Sequence, residues 1–464
     1  MAIIRRILFF IFLATYLIAC PLLILYSFGY IFIPIKQGLT QTGLIYLSST
    51  PKGADVYLEK SHYRQKTPTT INGLIPGNYK ITLKQKGYQP WVQTVLVDVG
   101  KAAAFKNILL VPKMWPVENI ISKDFVKLVP LRQANGFIVA TSAHLGSYAV
   151  YDFKKKDLTP LVPSDSSFFT LPVDSIFSEE NSSIFIIYGG SLWGHKYVYV
   201  NFAKTPQEIL DISKLIDEKS ADLFWSDSNR SKILAFHGDY LDLLDTEEMS
   251  VSPRYVENVK GYGATAKWVY TMDMENNVLR HLYHPVEKQP FLDNAQFDED
   301  LLGESRPYKI KVLDGDNILL LGPKGQLVVN LPPYNLAKDG VVGLEFYKKI
   351  FTLLYWTKQS INLVDFSEQP ENQSPVKKGV HQSIVYENGK NITDCFFVDE
   401  GMHIIFKDND RLYLLEIEPA GPPHVEFLAE VKKDSSFFYA QETGAVYYLD
   451  SQTRHLNSIQ VVPK

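Results

Sequence analysis

Residues Ile7 to Ile35 carry no charged side chain, with Arg5 and Arg6 before them and Lys36 after. A bilayer core takes about 20 apolar residues in helical form, so this stretch is expected to cross it as one helix with length to spare for tilt. Pro21 falls near its middle and should kink the helix without stopping it, because a membrane helix re-satisfies the freed carbonyl locally. Past Lys36 the apolar positions recur every second residue. Tyr79-Lys80-Ile81-Thr82-Leu83 alternates, and Val95, Val97 and Val99 share one parity, so each strand should bury one face and wet the other. Ile75-Pro76-Gly77-Asn78 fits a type II turn with glycine supplying the positive φ at the third position. Lys86-Gly87-Tyr88 fits a second reversal. From Leu44 to about Val111 the chain reads as a small all-β domain.

After Pro112 and Trp115-Pro116 a weak repeat takes over. Ile184-Phe185-Ile186-Ile187-Tyr188 is followed by Tyr197-Val198-Tyr199-Val200-Asn201, and Ile233-Leu234-Ala235-Phe236 by Tyr240-Leu241-Asp242-Leu243-Leu244-Asp245. His403-Ile404-Ile405-Phe406 precedes Leu412-Tyr413-Leu414-Leu415-Glu416, and weaker copies end near Asp152, His284, Asn330, Asp365 and Asp450. Each of about eight copies is a polar turn, a buried strand and a second strand closing on a polar residue. Their endpoints lie about 35 to 50 residues apart, the period of a four-stranded blade. No copy buries both faces alone, so a β-propeller is expected, with eight blades or alternatively seven. A pair of stacked β-sandwiches is the competing architecture. The repeats resemble the divergent propellers of bacterial envelope proteins, with Trp225-Ser226-Asp227 nearest the usual turn, although the Trp-Asp dipeptide is absent.

Charge decides the orientation expected of the apolar segment. Two arginines and the α-amino group on its N-terminal side put that end in the cytoplasm and the bulk of the chain outside. A cleaved signal peptide is the rival reading, and Leu17-Ile18-Ala19-Cys20 resembles the bacterial lipobox, in which the cysteine is lipidated. Cleavage there would expose a second apolar run to Ile33, so an uncleaved signal anchor is favoured. The 464 residues leave room for two or three domains with full cores, and a net charge of −4 gives no basic excess for nucleic acid. Cys20 and Cys395 are the two cysteines, so no disulfide framework is expected.

One stretch resembles a known family. Ser49-Thr50-Pro51-Lys52-Gly53-Ala54-Asp55-Val56-Tyr57-Leu58, Thr67-Pro68, Leu74-Ile75-Pro76-Gly77-Asn78-Tyr79 and Lys86-Gly87-Tyr88 with Trp91 are similar in order and spacing to the PEGA domain of bacterial envelope proteins. Lys52 stands where that family has its eponymous glutamate. The resemblance implies a small β-sandwich on an extracytoplasmic surface and brings no catalytic residues. Its Gly and Pro positions are expected in turns and Tyr79 in the core, while Tyr88 and Trp91 are the candidate ligand-binding aromatics, for saccharide or peptide.

Contiguous chemistry is sparse. His281 and His284 would point to opposite faces of a strand, and no third ligand stands at metal spacing. Asp314-Gly315-Asp316-Asn317 and Asp408-Asn409-Asp410 suit hairpin turns better than calcium loops. Gly189-Gly190-Ser191-Leu192-Trp193-Gly194 lacks the symmetry of a nucleophile elbow, and Cys395 sits in an apolar strand. No catalytic residue, metal or cofactor is therefore expected. The chain divides into 1–36 (cytoplasmic tip and anchor), 37–112 (PEGA-like sandwich) and 113–464 (propeller-like domain). The function expected is a non-enzymatic membrane-anchored envelope protein that binds protein or cell-wall polymer. The alternative is an extracytoplasmic hydrolase or lyase with its site at the propeller mouth.

Overall fold

The computed structural model describes residues 2–33, 38–131, 136–141, 148–153, 155–160, 172–177, 183–188, 196–201, 208–216, 222–225, 231–265, 267–283, 288–290, 297, 302, 306–314, 317–331, 334–366, 381–398, 401–417 and 424–463. The chain forms two units, one built on residues 2–116 and the other on the strands between Val117 and Gln460.

The first unit opens with α1 (Ala2–Ser27), which runs through Pro21 without a break. Its segment Ile7–Ser27 has 21 residues, a mean hydropathy of 2.7 and no buried part. At 1.5 Å per residue that is about 31 Å, the thickness of a bilayer's hydrocarbon core. The helix is shorter than the uncharged run. Phe28 and Gly29 donate to the carbonyls of Ile24 and Tyr26, both at 3.0 Å, and Gly29 at φ +78° turns the chain away. The β-branched Ile31 and Ile33 then favour β1 (Tyr30–Ile33), which pairs with β2 (Gly38–Gln41). Side chains after this hairpin close the helix end: Gln41 Nε2 donates to Phe28 O at 3.2 Å and Thr42 Oγ1 to Gly29 O at 2.8 Å.

Seven strands follow: β3 (Gly43–Thr50), β4 (Asp55–Leu58), β5 (Ser61–Lys66), β6 (Thr69–Leu74), β7 (Gly77–Lys84), β8 (Trp91–Val97) and β9 (Ala102–Leu109). They make two sheets, ordered β6-β3-β9 and β5-β4-β7-β8. Their facing sides bury Ile45, Leu47, Val56, Ile81, Leu83, Val95 and Val97, while the alternate residues of β3 and β7 remain more exposed. Two local expectations fail. Val99 lies beyond the end of β8 and is 57% exposed. Gly77 is drawn into the ladder opposite Val97 at φ +157°, nearly extended, and the left-handed glycine before it is Gly73 at φ +72°. Gly87 does supply its reversal, at φ +89°.

In the second unit the described strands fall into groups of four. Five groups are antiparallel meanders, within 125–160, 172–211, 222–257, 341–386 and 392–430, and the halves of an eight-stranded sheet, 261–290 and 308–338, make two more of the same kind. In order along the chain these seven meanders are called the first to seventh sheets. A closing sheet pairs β10 (Val117–Ile121) with the last strand Leu456–Gln460, followed by Ala445–Leu449 and Phe438–Ala440. Successive sheets pack by their apolar faces. Tyr199 of the second meets Trp225 of the third, Phe236 of the third stacks on Tyr262 of the fourth, and Tyr347 of the sixth contacts Phe397 of the seventh. The closing sheet touches both ends of the series, through Phe437 against Phe396 and through Phe438 and Tyr447 against Phe137. Meanders packed in sequence and shut by first and last strands in one sheet are a β-propeller.

The repeats map onto this topology. Asp152, Asn201, Asp245, Asp365 and Glu416 each end the third strand of a meander, and Asp450 directly follows the third strand of the closing sheet. Each copy read from the sequence is thus the second and third strands of one group. The fourth and fifth sheets are joined edge to edge by the parallel pairs Gly261↔Tyr308 and Tyr262↔Lys309. Gly261 leaves room for this, since a Cβ there would stand 3.0 Å from Tyr308 O.

Candidate functional site

In the sandwich the family-like motif holds itself together. Thr67 Oγ1 meets Ser49 Oγ at 2.6 Å and accepts from Ala54 N at 3.0 Å, while Gly53 N donates to Thr67 O at 2.8 Å. Ser49 and Thr67 are 1% and 4% exposed, so these groups exchange bonds in a site closed to water. Tyr79 packs against the core with its hydroxyl on Ile75 O at 2.8 Å. Tyr88 and Trp91, the candidate aromatics, are both half-buried against the same core. Trp91 meets Phe105 edge-on at 5.8 Å, and Tyr88 pairs with Pro112 in an isolated bridge.

The residues singled out in the propeller take structural places. His281 is fully buried with Nε2 2.7 Å from Thr271 Oγ1, and His284 lies outside the described residues, as does 189–194. Asp314 pairs with Asn317 across a hairpin whose residues 315–316 are also outside. Asp408 pairs with Arg411 across the next such turn, and Asn409 takes φ +55°. Its carboxylate accepts from Lys390 N and Asn391 N at 3.0 and 2.7 Å. Cys395 is fully buried. Trp225 is a core residue whose Nε1 donates to Ser183 Oγ at 2.8 Å, while Ser226 and Asp227 fall outside the described residues.

Two cavities with charged side chains escaped the sequence, because their residues come together only through the fold. His237 Nε2 lies 3.0 Å from Asp242 Oδ2, with side chains 10% and 17% exposed, and this pair shares a cavity of about 370 Å³ with Lys214. The larger cleft, about 610 Å³, lies on the seam where the ring closes. Lys127 comes to it from the first sheet, Thr393, Asp394 and Lys407 from the seventh, and Lys433 to Ser436 from the turn leading into the closing sheet. That turn is stitched to the first sheet, since Leu128 N donates to Ser435 Oγ at 3.0 Å and Ser436 N to Leu128 O at 3.2 Å. Lys407 is 3% exposed, and its ammonium donates to Ser435 O and, at 2.7 Å, to Lys433 O. Burial pushes its proton affinity below the usual lysine range. Among the described residues no three His, Cys, Asp or Glu side chains converge as a metal site would require.

An apolar helix of spanning length, a small β-sandwich and a β-propeller define the class. Residues 42–109 match the family model of the PEGA domain, so the sandwich is a PEGA domain. No curated protein matches the chain. Among solved structures it is similar to the β-propeller domain of Cps50 (Swd1) from Myceliophteria thermophila, at 12% identity over 75% of this chain and 100% of that one, TM-score 0.40. BamB from Moraxella catarrhalis is similar at 11% identity over 75% and 99%, TM-score 0.40. An oligogalacturonate lyase from Vibrio parahaemolyticus is similar at 9% identity over 75% and 98%, TM-score 0.35.

Proposed function

We propose that the chain is a non-enzymatic, membrane-anchored protein of the cell envelope, whose outer β domains bind a protein or a cell-wall polymer. On this reading residues 1–36 are a cytoplasmic tip and anchor, 37–112 a PEGA spacer or wall contact, and 113–464 the propeller that meets the partner. The observation that carries it is α1: an apolar segment of bilayer length, unburied within the protein, leading into a PEGA domain. Arg5 and Arg6 on one side favour a cytoplasmic N-terminus. Binding fits a propeller whose seam cleft is lined by polar and charged side chains. The test is a crosslinking pull-down from intact cells combined with protease treatment of spheroplasts. The chain should be shaved from outside and should carry a reproducible partner. A chain protected until lysis, or one that turns over an envelope polymer in purified form, overturns the proposal.

A further inference from the structure

Resting on that binding reading, we propose that the seam cleft binds a short polar peptide carrying both an ammonium and a carboxylate group. The side chains that would recognise it are Lys127, Asp394, Asp410, Lys433 and Asp434, with Lys407 as the residue that positions them. The cleft is also lined by Asn391, Thr393, Asn409 and two serines. No aliphatic or aromatic side chain lines it, so an acyl chain, a nucleobase or a stacked sugar ring would meet only the stems of lysines and other polar side chains. Its three lysines and three aspartates sum to zero formal charge. A polyanion or a bare cation would each meet as much repulsion as attraction, whereas a ligand with separated opposite charges meets a partner for each.

Lys407 strengthens the argument. It interrupts the apolar strand His403–Asp408, where an ammonium without partners would be strongly unfavourable. Its hydrogen bonds go to two carbonyls of the 433–435 turn, so it fixes that turn, and Asp394, Asp410 and Asp434 act on it through space. Asp410, Lys433 and Asp434 stand exposed at the rim. Thr393 Oγ1 is buried in the wall and makes no hydrogen bond among the described residues. A buried hydroxyl of that kind calls for a partner, and a peptide amide or carbonyl supplies one. The volume of about 610 Å³ is within the range of small-ligand sites and holds a few residues.

The test uses the full chain in detergent micelles and unlabelled N-acetylated peptides, with binding read by titration calorimetry. Gly-Lys-Ser-Asp carries both charges, Gly-Gln-Ser-Asp lacks the cationic side chain, and amidated Gly-Lys-Ser-Asn lacks both carboxylates. The first should bind saturably and each of the others at least tenfold more weakly. The rim variants Asp434→Asn and Lys433→Gln should each weaken the first peptide at least tenfold without moving the melting temperature. Equal binding of all three peptides, indifference to the rim variants, or no saturation by millimolar peptide overturns the proposal. A photocrosslinker at position 434 in intact cells then separates sources, an adduct of protein size marking a partner's segment and one of peptide size a wall fragment. If no peptide binds while the pull-down still recovers a partner, the cleft assignment falls alone. Failure of both removes the binding reading with it.

Discussion

In three repeats the closing aspartate holds the backbone that follows it. Asp245 Oδ1 accepts from Glu247 N and Glu248 N at 3.0 and 3.1 Å, Asp450 Oδ1 from Gln452 N and Thr453 N at 3.0 and 2.7 Å, and Asp152 Oδ1 from Lys155 N at 3.1 Å. An aspartate there offers the turn the acceptors its own carbonyls cannot reach. Burial would raise the Asp245 pKa, yet the bond from Lys232 and the two amides hold it below the usual carboxylate range. His403 goes the other way: it is 2% exposed, and burial pushes its pKa down to about 4. The unfolded chain therefore takes up a proton that the folded chain refuses between about pH 6.5 and 4, and stability rises with pH across that window. Thermal unfolding should show full stability above about pH 6.5 and a loss of roughly 3 kcal/mol on descending to pH 4. Asp245 and Asp450 should add to that loss only below about pH 4. His403→Gln should flatten the upper window, and an unchanged slope would show that the imidazole is not its source. In the sandwich, Thr67→Val removes the acceptor of Ala54 N and the partner of Ser49. It should cost about 1–3 kcal/mol in denaturant unfolding.

Among the elements, the second and third strands of the repeats were legible because burial makes them nearly continuous apolar runs, as in Ile233–Phe236 and Tyr447–Leu449. Their outer neighbours were not. Asp157–Pro160 and Ser250–Glu257 are largely exposed and carry no hydrophobic period to read. The helix end at Ser27 was hidden for the opposite reason, since Tyr30–Ile33 is as apolar as the helix and only the conformation at Gly29 separates them. The seam cleft was illegible because Lys127 and Asp434 meet through ring closure and neither lies in a motif. Closure itself can be tested on its last strand. Ending the chain after Asp450 removes Leu456–Gln460, the partner of both β10 and Ala445–Leu449. The propeller should lose cooperative unfolding, and resistance to limited proteolysis equal to the parent would contradict the closure. In the sandwich, a Cβ at Gly43 would stand 2.7 Å from Asp98 O and 2.9 Å from Lys101 O. Gly43→Ala should therefore destabilise it although φ there is ordinary, and an unchanged melting temperature would refute that packing.

At the scale of the whole molecule the proposed topology depends on few charges. Arg5→Glu with Arg6→Glu removes the positive bias ahead of the helix. Part of the population should then invert and resist protease added to spheroplasts, and complete shaving of the double variant would mean that another signal sets the orientation. The end of α1 carries a mechanical consequence. Phe28 O and Gly29 O are held by Gln41 and Thr42, and Gly43 begins the first strand of the PEGA domain. Among the described residues no slack leash separates the apolar helix from the sandwich, so a force that twists or tilts the one would swing the other like a rudder on its stock.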